Sequence, residues 1–275
     1  MLSFQKYLQD SQHKSVDTKV VQVTTQDGVP LEGVWTPGGD TVLAHTHGTA
    51  SFWGNEVFEP QLQGWCKARG WGFLSFNTRG AHLSGAEQEL FSQCGQDFAA
   101  WIRWLQSRGV RRIILSGHSL GTEKIAHWVR TTKPCSVSGV LFLAPSDTIG
   151  NQDRYEQRIG HTFFGEARTL VERGTPCALL SDPKAHAGVL AMSGAAYLDF
   201  YGTSSPLRNA LPFRNYSIQP LPVPVLALVP QHDHYNITSV PAYTLALRSM
   251  GARVVVCDTD HDFNRFDVSE FLHDL

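Results

Sequence analysis

Residues 111–128 read RRIILSGHSLGTEKIAHW, and their pattern changes halfway. Ile113, Ile114 and Leu115 form a short apolar run suited to a buried strand, and the residues after Ser119 read as a helix. Between them lies Gly117-His118-Ser119-Leu120-Gly121, a G-x-S-x-G string. A serine hydroxyl is a useful nucleophile only if a base takes its proton and if it stands clear of its neighbours. A sharp turn from strand into helix presents it so, and crowding at such a turn demands small residues on either side, here Gly117 and Gly121. The turn also aims the Leu120 N–H at a site where negative charge can develop.

A serine on such a turn makes a demand further along the chain: an acid and then a histidine, each after a strand. The run 223–230, VPVLALVP, is followed by Gln231-His232-Asp233, and 252–260, ARVVVCDTD, is followed by His261. Ser119 is thus the expected nucleophile, His261 the base, and Asp233 the acid that orients the base. Asp258 and Asp260 rival Asp233, but they lie so close to His261 that an acid from another strand end is preferred. His232 and His234 rival His261, but they follow the wrong strand. A second oxyanion donor is expected after the third strand, in residues 41–55, TVLAHTHGTASFWGN. There Gly48 lets the backbone approach closely and Thr49 N–H is the donor. Such donors typically contribute ~3 kcal/mol each to transition-state stabilisation.

Outward from these segments, strand-like and helix-like patterns alternate, which implies a mostly parallel sheet with helices on both faces. Residues 20–39 differ: VVQVTTQDGVPLEGVWTPGG reads as an antiparallel hairpin turning at Asp27-Gly28. Residues 90–109 place Phe91, Cys94, Phe98, Trp101, Ile102 and Leu105 at helical spacing, with Gly109 as C-cap. The final VSEFLHDL reads as a short helix. The expected fold is α/β, with eight strands and an insertion after the sixth. Residues 1–147 and 221–275 form the core. Residues 148–220, too many for a simple crossover, form a lid that is helical over 151–174 and irregular thereafter.

Composition narrows the class. The chain has 275 residues, 42% of them apolar, and a formal net charge of −2. This charge offers no reason to expect nucleic acid or a membrane surface as partner. The five cysteines follow no C-x-x-C spacing, against a disulfide framework or a zinc ribbon. Cys257, in an apolar run, reads as a buried thiol. Residues 1–15 lack the pattern of an export signal, and no run approaches ~20 apolar residues, so a cytoplasmic protein is expected. The pairs His45-x-His47 and His232-x-His234 share a strand face for geometric reasons alone. No H-E-x-x-H spacing is present, and neither a metal nor a cofactor is expected.

Taken together, His47-Gly48, the 117–121 pentapeptide, Asp233 and His261 resemble the α/β-hydrolase superfamily across nearly the whole chain. The strings HGTAS (47–51), FNTRGAHLSG (76–85) and 193–213 more loosely resemble a branch that includes fungal siderophore esterases and bacterial relatives. In this resemblance Pro230 stands where a glycine is common. The resemblance implies hydrolysis of a small-molecule carboxylic ester, such as a bulky lactone or siderophore-type ester, through an acyl-enzyme. Alternatives on the same fold are a carrier-thioester hydrolase and a slow-turnover receptor. Phe52 and Trp53, with Phe163, Phe164, Tyr197, Phe200 and Tyr201 of the lid, are candidates to line the substrate pocket. Each would equally serve to pack a small core. Glu123 and Lys124 read as structural, Arg79 as either a partner for a substrate carboxylate or a structural salt bridge, and His118 as packed beside the sheet.

Overall fold

Short runs apolar at nearly every position suit strands covered on both faces. In the structure, a computed structural model describing residues 18–215 and 217–274, these runs form the middle of one sheet. The export-signal reading of residues 1–15 lies outside the described residues. Strands β1 (Lys19–Thr24) and β2 (Pro30–Thr36) make the expected antiparallel hairpin, with Lys19 opposite Trp35. Gly28 turns the hairpin at φ +88°, a left-handed conformation that favours glycine. Then follow β3 (Thr41–Thr46), β4 (Gly72–Phe76), β5 (Arg112–His118), β6 (Val137–Leu143), β7 (Val225–Pro230) and β8 (Arg253–Cys257). Their order is β1-β2-β4-β3-β5-β6-β7-β8, parallel throughout from β4 to β8.

The two-residue period of the strands divides the apolar residues between two cores. Val42, Ala44, Ile113, Leu115, Val140 and Phe142 face one side, where Phe98 and Trp101 of α3 (Cys94–Gln106) and Ile125 and Val129 of α4 (Leu120–Thr132) cover them. Leu43, Ile114, Leu141 and Leu143 face the other, beneath Leu62 of α1 (Glu59–Ala68) and Leu272 near the C-terminus. Each such side chain removed from water stabilises the fold by about 1.5–3 kcal/mol. Among the described residues, the remaining helix before α3 is the short α2 (His82–Ala86). Two helical expectations need adjustment: the 90–109 segment opens with a 3₁₀ turn (Phe91–Gln93), and the last segment is wholly 3₁₀ (Val268–Asp274). Cys257 is buried as expected.

Between β6 and β7 the chain leaves the sheet. It forms α5 (Thr148–Ile159) and α6 (Phe164–Glu172), separated by Gly160. The stretch expected to be irregular holds a further helix, α7 (Gly194–Tyr201). Ser193 Oγ caps it by accepting the Ala196 N–H at 3.3 Å, and Ala196, Tyr197 and Phe200 bury one face. Gly, Ser and aromatic residues concealed this helix because its stability comes from burial more than from propensity. The core of this region includes Phe91 and Leu120, so it packs directly on the first turn of α4. Helix α8 (Val240–Ser249) lies between the last two strands in sequence. Among the described residues, no helix is long and apolar enough to cross a membrane.

Candidate active site

The turn at Ser119 is built by exclusion. Strand β5 ends at His118 and α4 begins at Leu120, leaving Ser119 alone to reverse the chain at φ 50°, ψ −122°. A non-glycine residue in so sparsely populated a region costs about 1–3 kcal/mol and must be held by its surroundings. Its N–H donates to the Leu143 carbonyl at 3.0 Å, and its carbonyl accepts from Thr122 N at 2.9 Å and Thr122 Oγ1 at 2.6 Å. A Cβ on Gly117 would lie 2.7 Å from the Gly121 backbone, and one on Gly121 would lie 2.7 Å from the His47 carbonyl oxygen. Only glycine permits so close a crossing of β5, α4 and the end of β3. As the first residue of α4, Leu120 has an N–H without an intrahelical acceptor, free to face an anion.

The acid and the histidine arrive from adjacent strand ends. Beyond β7 and β8 the chains stay in register: Gln231 N–H donates to the Cys257 carbonyl at 2.8 Å, and His232 N–H to the Thr259 carbonyl at 3.0 Å. This brings His261 Nδ1 to 2.7 Å from Asp233 Oδ2, with both side chains buried. Asp233 Oδ1 accepts the Tyr235 N–H at 2.8 Å, which fixes the carboxylate plane. The rival acids are engaged elsewhere. Asp258 pairs with His232 at 2.7 Å on the exposed surface, and Asp260 accepts from Asn264 N at 2.9 Å. Nδ1 of His261 is therefore occupied.

Gly48 and Thr49 follow β3 as expected, and with Ser119 and His261 they line one cavity of about 450 Å³. A Cβ on Gly48 would lie 3.0 Å from Ser119 Cβ, so this loop is pressed against the serine. The Gly48 N–H is engaged: it donates to Glu56 Oε1 at 3.0 Å. His47 Nδ1–H donates to the Gly48 carbonyl at 2.7 Å, and its Nε2 accepts the Thr78 N–H at 3.2 Å. Burial, with the Lys124 ammonium nearby, pushes this ring down to about 3, so it stays neutral.

Behind the serine lies a polar network absent from the sequence reading. His118 does not merely pack: Nδ1 lies 2.9 Å from Glu56 Oε1 and Nε2 lies 2.9 Å from the carbonyl oxygen of His261. Glu56 Oε2 also meets His45 Nε2 at 2.7 Å. Burial would push His118 down, but the Glu56 carboxylate overrides it and holds the ring up to about 9. Burial acts on Glu56 in the opposite sense, yet the His118 charge and both histidine hydrogen bonds hold it well below the usual carboxylate range. An isolated acid in the loop 49–58, amid apolar and aromatic residues, was the available signal.

None of the seven aromatic candidates lies on the cavity wall. Phe52 stacks on His82 at 4.6 Å, and the Trp53 N–H is tied to Asn77 Oδ1 at 2.7 Å. Phe163, Tyr197 and Tyr201 are buried in the core of the 148–220 region, where the Tyr201 hydroxyl meets His186 Nδ1 at 2.7 Å. Phe164 points partly to solvent. That region supplies smaller and more polar groups to the cavity instead: Thr148, Asn151, His186, Ala187 and Val189. Lys124 and Arg79 are structural. Lys124 is buried in an ion pair with Glu89 at 2.6 Å, and Arg79 bridges Asp97 and Asp27. Glu123 accepts from Thr148 N at 3.2 Å, and burial pushes its carboxyl well above the usual range.

Two groups among the described residues have the spacing of metal ligands: His118, His261 and Asp262, and His45, Glu56 and Glu59. In the first, both nitrogens of His118 and Nδ1 of His261 already serve the hydrogen bonds above. In the second, His45 is held between Ser116 Oγ at 2.9 Å and Glu56. These donor sets read as a hydrogen-bonded network.

Comparison with known proteins follows this geometry. Residues 84–166, which contain the Ser119 turn, match a family model described as serine hydrolase. No curated protein sequence matches the chain. Among solved structures, the α/β hydrolase GrgF from Penicillium sp. sh18 is similar at a TM-score of 0.67 and 16% identity, over 93% of this chain and 95% of that one. Est1E from Butyrivibrio proteoclasticus is similar at a TM-score of 0.61 and 14% identity, over 89% and 91%. The esterase Pf2001 from Pyrococcus furiosus is similar at 0.57 and 18% identity, over 89% and 82%. At such identities the likeness is one of fold. Sheet order, turn and family match agree: the chain is a protein of the α/β-hydrolase fold whose residues 84–166 match the serine hydrolase family.

Proposed function

We propose that the protein is a cofactor-independent carboxylic ester hydrolase acting through an acyl-enzyme on Ser119. One observation carries the reading: a serine on a strained strand-to-helix turn shares a cavity with a histidine whose Nδ1 is held 2.7 Å from a buried aspartate. The Ser119 hydroxyl passes its proton to His261 Nε2 as Oγ attacks the ester carbonyl. Leu120 and Thr49 N–H groups receive the oxyanion. The tetrahedral intermediate collapses with cleavage of the C–O bond, and His261 gives its proton to the departing alcohol. Water then attacks the acyl carbon, returns a proton to His261, and releases the acid as Ser119 regains its hydrogen. Asp233 stabilises the imidazolium at each stage.

The cavity walls support a neutral substrate over an anionic one. Their polar groups include Ser146, Thr148, Asn151 and His186, and among the described residues that line the cavity there is no lysine or arginine. This disfavours a phosphopantetheine carrier and favours a compact or hydroxylated ester. The 148–220 region acts as the lid, since it supplies one wall beside the serine.

Steady-state hydrolysis of short neutral aryl esters tests the reading. Repeated turnover by the unaltered protein is expected. Ser119→Ala should lower kcat by about 10⁶-fold while its near-UV circular dichroism stays unchanged. Equal turnover by the folded variant would exclude the mechanism.

A further inference from the structure

Both ring nitrogens of His118 face oxygen acceptors, Nδ1 the Glu56 carboxylate and Nε2 the carbonyl of His261, each at 2.9 Å. A neutral imidazole has one N–H, so it would set a lone pair against one of these oxygens. Glu56 in turn gathers three donors: His118 Nδ1, His45 Nε2 and the Gly48 N–H. Three donors on two oxygens suit a carboxylate. Both side chains are buried, at 6% and 7% exposure. Phe58 closes over the network, with its ring centroid 5.4 Å from that of His118 and 5.5 Å from that of His45. The pair thus joins three segments far apart in sequence: the Gly48-Thr49 loop, the Ser119 turn and the His261 loop.

We propose that Glu56 and His118 form a buried ion pair that positions the reacting groups, Glu56 fixing the oxyanion loop through Gly48 N–H and His118 fixing the base loop through the carbonyl of His261. This rests on the esterase reading of Ser119. Neither side chain is a catalytic residue; each acts through the backbone of a neighbour. Removing the charge from Glu56 leaves a buried imidazolium uncompensated, which favours loss of its proton. A neutral His118 that keeps Nδ1–H on position 56 no longer donates to His261, and the base loop is released. Displacements on the scale of an ångström at a reacting group cost about 10²-fold in rate.

The titratable groups facing the pair are His45 from β3, His47 just after it, Glu59 from α1, and His261 and Asp262 from the base loop. Burial raises Glu59 to about 7, so it titrates in the same range and needs its own control. In the unaltered protein, kcat/KM is expected to fall on the alkaline side as His118 loses its proton near 9. In Glu56→Gln that decline should move toward neutral pH, with kcat at pH 8 lowered about 10²-fold and KM little changed. Glu56→Asp keeps the charge and should return the decline to its original position. Glu59→Gln should leave it in place.

The experiment is the pH profile of aryl-ester hydrolysis for these four proteins. Nitrogen NMR of the unaltered protein, with His118 assigned through His118→Gln, serves even if Glu56→Gln does not fold. A doubly protonated His118 ring at pH 8 is expected, and a ring carrying one N–H there overturns the proposal. Glu56→Gln with an unchanged profile, whatever its thermal stability, also overturns it and leaves the esterase reading intact. Failure of the unaltered protein to turn over any ester removes that reading, and the proposal with it.

Discussion

At the scale of the residue, the demands on His261 are set by what holds its other nitrogen. Asp233 Oδ2 accepts from Nδ1, and the Tyr235 N–H keeps Oδ1 from rotating away. Asp233→Asn keeps the shape but presents an amide N–H to that nitrogen, which favours the opposite tautomer and leaves Nε2 unable to accept a proton. A fall in kcat of about 10⁴-fold is expected, read from ester hydrolysis at neutral pH; a loss under about tenfold would mean that another acid serves. The placement of Ser119 and His261 on one cavity, with Asp233 against His261, was legible in the sequence because motif and chain order restrict the three jointly. Phe163 and Tyr197 were not, because an aromatic side chain signals a need for burial without saying in which core. Glu56 and His118 were missed for a related reason: a lone buried charge is recognisable only once its partner, 62 positions away, is in view.

At the scale of the element, the turn between β5 and α4 depends on glycines at close crossings. Gly121→Ala would place a methyl group 2.7 Å from the His47 carbonyl oxygen, where backbone must give way. A destabilisation of about 1–3 kcal/mol is expected, together with a larger loss of activity, since β3 and the Gly48-Thr49 loop would move away from Ser119. Urea denaturation measures the first, and a variant as stable and active as the parent would contradict the packing account. The hairpin at Asp27-Gly28 and the central strands were readable because period and turn chemistry are local signals. Helix α7 was not, since Ser193 is its only strong local signal and its burial against α6 is a tertiary effect.

At the scale of the whole molecule, buried charges tie layers together. The Lys124 ammonium of α4 lies 2.6 Å from Glu89 and donates to Thr78 Oγ1 at 3.0 Å, linking the helix behind the serine to the segments after β4. Lys124→Met leaves the Glu89 carboxylate buried without compensation and should cost about 3–5 kcal/mol. Adding Glu89→Gln should recover much of that loss in the double variant. Purely additive effects in this cycle, followed by denaturation, would mean that the two groups are not coupled. The 148–220 region meets the core through a hydrogen bond and apolar packing instead: Glu123 of α4 accepts from Thr148, and Leu120 lies in the region's own apolar core. Its length was visible in sequence, whereas its contribution of small polar groups to the cavity needed the fold.

Covalent labelling reveals whether Ser119 is an activated nucleophile. The intact protein is exposed to a fluorophosphonate, its mass is measured, and the modified peptide is mapped, with Ser119→Ala as control. A single adduct on the peptide containing Ser119, and none on the folded variant, is the predicted result. An unlabelled parent, or equal labelling of parent and variant, would contradict it.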